Sequence, residues 1–243
     1  MAVIDFRKPL GRREARDGQM ARNAAQDLVL PGGGAGTLHV PAGAKQLVIF
    51  VQAIAAARTD PRNRAVAQAL HQHGFATLLF DLVTPAEQED RHVIFDIDRL
   101  AARLVDVAHW IAEDRELGAF SLGFFAANIG AAAALAAAAR LGPEIGAVVS
   151  RGGQPDLAGR RLDAISAPTL LIVGGRDSAV ISQNEQALKR LRGPKALKIV
   201  LGAGHFFDEP GALTDATDYA AQWFADHLAE PRSQAAGSAC GNG

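Results

Sequence analysis

Two side chains of this 243-residue sequence, Asp177 and His205, have types and spacing suited to acyl-transfer chemistry, and Asn128 stands where its nucleophile would be. Asn128 lies in Leu122-Gly123-Phe124-Phe125-Ala126-Ala127-Asn128-Ile129-Gly130, a strand-like run that turns straight into an alanine-rich helix. A strand-to-helix elbow of this kind presents a nucleophile in the pattern G-x-S-x-G. The residues two positions to either side must be small, because strand and helix nearly collide at the turn. Ala126 and Gly130 meet that requirement. The central residue must tolerate a left-handed or strained backbone, which asparagine does better than most. Its amide nitrogen is not basic and its oxygen attacks poorly, so Asn128 fits the elbow in shape but not as a nucleophile.

Asp177 follows the apolar run Thr169–Val173 in Gly174-Gly175-Arg176-Asp177, and His205 follows Leu197–Leu201 in Gly202-Ala203-Gly204-His205-Phe206. The chain order is elbow, acid, histidine, at spacings of 49 and 28 positions, each enough for a helix and a strand. An acid hydrogen bonded to the histidine fixes the imidazole tautomer and favours its charged form. The plainer reading is that Asp177 caps the next helix and His205 merely packs. A second loop, Gln52-Ala53-Ile54-Ala55-Ala56-Ala57-Arg58, follows the run Gln46–Val51 at the place where an oxyanion-hole amide is usually supplied from a glycine-rich turn. Its backbone N–H groups remain, and those of Ile54 and Ile129 are the expected donors. Gln52, Ala53, Ile54, Ile129, Arg151 and Phe206 are the expected lining of an oxyanion and substrate pocket.

The elements that must hold these loops can be read from the pattern. A hairpin is expected over Gln26–Pro31, a turn at Gly32–Gly36, and Thr37–Pro41. Short apolar runs follow at Gln46–Val51, Ala76–Leu82, Phe120–Phe125, Ala147–Ser150, Thr169–Val173 and Leu197–Leu201. Runs that are apolar on both faces suit parallel strands covered by helices. Leu100, Leu104, Val107 and Ile111 make one stripe of a helix. Gly130–Leu141 is nearly all alanine and leucine, and so is expected to be buried on several sides. Ala220, Trp223, Phe224 and His227 give the last helix its inner face, with Tyr219 and Trp223 in the core. The result is an α/β, doubly wound, mostly parallel sheet with an N-terminal antiparallel hairpin and helices on both faces. Ligands of such sheets bind at the carboxyl ends of the strands.

Composition narrows the function classes. A net charge of −1 gives no general attraction to nucleic acid or anionic membrane. Apolar runs fall short of the roughly 20 residues of a spanning helix. The one cysteine, Cys240, allows neither a disulfide nor a cysteine-ligated metal. The arginine-rich stretch from Met1 to Arg22 and the small-residue stretch from Glu230 to Gly243 read as disordered tails around a single domain spanning 23–229. No metal or cofactor is expected, nor a nucleic-acid or membrane partner; a homodimer is compatible with the reading, and the expected location is cytoplasmic.

Other polar groups have plainer roles. Ser150 could replace the missing nucleophile, but a strand-end hydroxyl accounts for it. Arg151 could bind a substrate carboxylate or pair with a surface acid such as Asp156. His71 and His73 look like a helix terminus and His227 like a helix-end structural residue, while Glu87, Glu89, Asp90 and His92 make a solvated loop.

From about Lys45 to Leu228 the chain resembles the dienelactone-hydrolase-like branch of the α/β-hydrolases. The resemblance is carried by Pro61-Arg62-Asn63-Arg64-Ala65-Val66-Ala67, Ala76–Leu82, Phe95-Asp96-Ile97, Val149-Ser150-Arg151-Gly152-Gly153, Pro168–Gly175 and Glu209-Pro210-Gly211-Ala212-Leu213. It implies the α/β-hydrolase fold and ester or lactone hydrolysis by a serine triad. Relatives of this kind look to carry H-G-S-G-S-S-like and G-A-S-T-G-like segments where this chain has Gln52–Ala57 and Ala126–Gly130. The expectation is therefore a hydrolase-family protein with an Asp–His dyad, no serine nucleophile, and weak or altered hydrolysis of an apolar ester or lactone. The alternative is a non-catalytic small-molecule binder, natural or engineered, that uses an apolar former active site. A third expectation, deamidation of Asn128 to an aspartate like that of some hydrolase-fold dehalogenases, is ranked last.

Overall fold

The computed structural model describes residues 24–54 and 56–228. The two terminal segments, Cys240 with them, and Ala55 lie outside the described residues. Eight strands form one sheet: β1 (Gln26–Val29), β2 (Ala35–His39), β3 (Gln46–Val51), β4 (Ala76–Phe80), β5 (Ser121–Asn128), β6 (Ile145–Gly153), β7 (Thr169–Gly174) and β8 (Lys195–Val200). Their order across the sheet is β1-β2-β4-β3-β5-β6-β7-β8. The β1–β2 hairpin and the β2–β4 pair are antiparallel, and the remaining pairs are parallel. The fold is thus the doubly wound α/β sheet expected. The hairpin turn is tighter than the sequence suggested, since Ala35 and Gly36 already pair with Val29 and Leu28.

Helices α1 (Pro61–Gln72), α2 (Pro85–Gln88), α3 (Arg91–Ile94), α4 (Ile97–Glu113), α5 (Ile129–Leu141), α6 (Ser178–Arg190) and α7 (Ala212–His227) complete the chain. One sheet face packs against α4, α5 and α6, the other against α1 and α7. Helix α5 is buried from Gly130 to Ala138, and its alanines let strand, helix and helix approach closely. The inner face of α7 is Ala216, Ala220, Ala221 and Phe224, with Trp223 half-buried against His227. Tyr219 is not core: it is exposed, and Lys198 lies over its ring.

The segment after β4 also departs from expectation. Glu87 is no solvated loop residue, because Thr84 and Glu87 form a capping box and Glu87 also pairs with Arg99 and Arg103 on α4. The hydrogen bond from Arg103 is the main reason its carboxyl is held down to about 2.

His71 lies near the C-terminal end of α1, its Nε2 2.7 Å from Thr77 Oγ1 and its ring stacked on His39. Burial, and then the neighbouring His39, push its pKa down to about 4. An unfolded histidine takes up its proton near pH 6.5. The unfolded chain therefore binds more protons between those two values, and stability falls as the pH drops through that window. His71→Gln is expected to lose less of its urea midpoint than the wild type between about pH 7 and about pH 4. Equal losses in the two proteins would show that His71 does not contribute.

Candidate active site

Strand β5 runs to Asn128 itself, where φ is 51° and ψ is −132°. Sparsely populated backbone of this kind costs on the order of 1–3 kcal/mol and is held by its surroundings. Here Gly153 of β6 lies opposite Asn128, and Gln154 N–H donates to Asn128 O at 3.1 Å. Gly130 allows the turn: a Cβ there would lie 2.4 Å from Val51 O. The end of β3 and the start of α5 are thus in direct contact. Ile129 opens α5, so its N–H has no intrahelical acceptor.

The loops after β7 and β8 are tied together by Gly175 N–H donating to Val200 O and Arg176 N–H to Ala203 O, both at 2.9 Å. Gly174 packs so closely against Gly204 that a Cβ would sit 2.3 Å from its carbonyl oxygen. This brings Asp177 and His205 together, with His205 Nδ1 2.6 Å from Asp177 Oδ2. Asp177 Oδ1 also accepts from Val180 N–H at 3.4 Å, so the residue caps α6 and orients the histidine at once. On its other side, His205 Nε2 lies 2.9 Å from Asn128 Oδ1. With Nδ1–H donated to Asp177, an imidazolium donates from Nε2 to Oδ1, while a neutral ring accepts from the amide in its other rotation. The elbow residue, the histidine and the acid therefore form one hydrogen-bonded line, all three partly exposed at the carboxyl end of the sheet.

The expected pocket residues are placed less uniformly. Phe206 is 56% exposed, packs edge-on against the His205 ring, and lies under Arg62. Ile54 and Ile129 are half-buried and Ala53 is buried. Gln52 sends its buried side chain to Asn63, whose own amide donates to Ala57 O at 2.9 Å. Gln52 thus fixes the loop from behind, where it packs among Phe50, Ala57, Asn63, Leu79 and Phe80. Ala56 in the same loop is left-handed, at φ 57°.

Arg151 neither faces solvent nor pairs with Asp156. It is buried on the α1/α7 face of β6, with Phe125 and Phe207 rings 5.6 and 6.0 Å from its Cζ and Nη1 lacking a hydrogen-bond partner. Desolvation lowers its pKa to about 10, which leaves it charged. Ser150 is fully buried against Gly153 and Ala131, on the α5 side of the sheet, so it presents no exposed hydroxyl.

Two residues that shape the site were not singled out as functional from sequence. Glu209 accepts Gly204 N–H with both carboxylate oxygens at 3.0 Å, holding the turn before His205, and that bond lowers its pKa. Asn184 of α6 donates to Gly153 O, anchoring the strand end opposite Asn128.

Residues 35–229 match the model of the dienelactone hydrolase family. A dienelactone hydrolase from Anabaena variabilis is similar over 84% of this chain and 99% of its own, with 44% identity and a TM-score of 0.80. Est1E from Butyrivibrio proteoclasticus shares the fold at 15% identity and a TM-score of 0.67, over 83% of this chain and 99% of its own. A Mycobacterium tuberculosis protein provisionally named a phosphoribosyl transferase is 48% identical over 197 residues, 81% of this chain. The match spans only 44% of that relative's length.

Proposed function

The chain belongs to the dienelactone hydrolase family, and from that premise we propose that it is a hydrolase whose covalent step is disabled and whose His205 acts as a general base on water. The supporting observation is the line Asp177–His205–Asn128, with contacts of 2.6 and 2.9 Å. An amide in place of a hydroxyl closes the acyl-enzyme route. An oriented histidine still activates water, worth a factor of about 10²–10⁴ in rate. The substrate class is a small apolar ester or lactone, in keeping with Phe206, Ile54 and Ile129 about the dyad's loops. Hydrolysis of short p-nitrophenyl esters should be slow in the wild type and fall to the uncatalysed rate in His205→Ala. Equal turnover by the two proteins would refute the general-base role.

The second reading is a binding protein that uses the same opening, favoured by the apolar residues Ala53 and Ile54 in the oxyanion loop. Ligand affinity unchanged by His205→Ala, together with no turnover, would select it. The transferase name of the Mycobacterium relative belongs to a protein whose larger part lies outside the match, and it is not carried to this site. Among the described residues no helix is long and apolar enough to cross a membrane. A cytoplasmic location is part of the proposal, and cell fractionation reads it.

A further inference from the structure

Strand parity turns Arg151 into the α1/α7 layer, where it is 7% exposed. Two rings flank its guanidinium, Phe125 at 5.6 Å and Phe207 at 6.0 Å from Cζ, and Nη1 has no hydrogen-bond partner among the described residues. The acids whose charge reaches it, Asp60 and Asp208, are engaged elsewhere. Asp60 caps α1 by accepting from Arg62 N–H and Asn63 N–H at 2.8 and 3.3 Å. Asp208 pairs with Arg62 at 3.3 Å, and Arg62 adds a second positive charge beside Arg151. A buried charge is ordinarily held by a partner that satisfies it, and aromatic faces supply only part of that.

We propose that Arg151 is the receptor of a small monovalent anion of the chloride class, held between the end of β6 and the loop that carries His205. The local charge balance selects a monoanion. Asp60 and Asp208 oppose a second negative charge, and stripping the water from a dianion costs far more than stripping it from a halide. The lining selects a weakly hydrated ion, because phenyl rings offer no hydrogen bonds to replace the water shell of fluoride or phosphate. The neighbouring Arg62–Asp208 pair is exposed and holds weakly, so an ion enters past it at little cost.

The position gives such an ion a consequence for the site. Gly152, next to Arg151, abuts the histidine loop: a Cβ there would lie 3.1 Å from His205 O and 3.4 Å from Phe207 Cε2. Phe207 is buried and left-handed, at φ 58°, a backbone that a bulky residue keeps only where its surroundings hold it. An anion on Arg151 neutralises the charge against which Phe207 packs, and so braces the His205 loop from the α1/α7 side. The inference holds whether or not the dyad hydrolyses an ester.

The test compares urea midpoints of the wild type and Arg151→Met in sodium fluoride, chloride and bromide at equal ionic strength. Methionine keeps an apolar stem and removes the charge. An ion that binds only the folded chain stabilises it by mass action, so chloride at ten times its dissociation constant raises the folded-to-unfolded ratio about elevenfold. That gain over fluoride should appear in the wild type, be at least as large in bromide, saturate with concentration, and be missing from Arg151→Met. Equal responses in the two proteins would overturn the proposal. A wild-type gain larger in acetate or phosphate than in chloride would overturn the choice of ion. Should the variant not fold, wild-type crystals soaked in bromide decide the matter. An anomalous peak at hydrogen-bonding distance from Arg151 Nη1 is expected there, and none at that position would refute the site.

Discussion

Asn128→Ser is expected to raise hydrolysis of short p-nitrophenyl esters at least about tenfold over the wild type, a gain attributable to nucleophilic catalysis. The replacement puts a hydroxyl at the elbow where Asn128 Oδ1 now lies 2.9 Å from His205 Nε2. Serine, acid and histidine then follow the chain order that the fold uses for acyl transfer. The restored activity should stay well below that of an intact enzyme. The loop carrying Gln52, Ala53 and Ile54 has no glycine to shape an oxyanion turn, and an oxyanion donor held out of position costs about 10²–10³ in rate. A burst of p-nitrophenol in Asn128→Ser but not in the wild type would show acyl-enzyme formation. No gain in rate would mean that the loop is as disabling as the asparagine.

Gly130→Ala is expected to cost about 3 kcal/mol of stability or to abolish folding, the range for overpacking against atoms that cannot move aside. The added methyl would lie 2.4 Å from Val51 O and 2.9 Å from Gln52 Cα, both backbone. Relief requires β3 and α5 to separate, which shifts the loop after β3 and the elbow together. Gly34→Ala is the control: its Cβ would meet only Asp81 O at 3.4 Å, and its φ of −66° is ordinary. It should change stability by no more than about 0.5 kcal/mol. Urea midpoints of the two variants, measured side by side, decide the point.

The sheet was legible because its central strands carry short apolar runs, with β8 interrupted by Lys195 and Lys198, and the elbow because small residues at Ala126 and Gly130 bracket a strand end. The ends of the strands were less legible. Strand β5 continues through Ala126, Ala127 and Asn128, residues with no β-branching to announce a strand. Chain order placed Asp177 and His205 on neighbouring loops, but their contact depends on the Gly174–Gly204 approach, which only the folded chain shows.

Arg151 was misread for a reason the sequence does contain. It shares strand parity with Ala147 and Val149, which face the α1/α7 core, so its stem had to turn inward. Gln52 and Glu87 are different cases. Their partners, Asn63 on α1 and Arg99 and Arg103 on α4, lie 11 to 16 residues away, and no local pattern selects them.

A site that keeps its base and lacks its nucleophile is distinguished by labelling with a fluorophosphonate, which bonds to an activated hydroxyl. Wild-type protein should remain unlabelled, and Asn128→Ser should carry one label at residue 128 that is lost in Asn128→Ser/His205→Ala. Labelling of the wild type at any serine, Ser150 included, would show that the dyad already has a nucleophile and that the site is not disarmed.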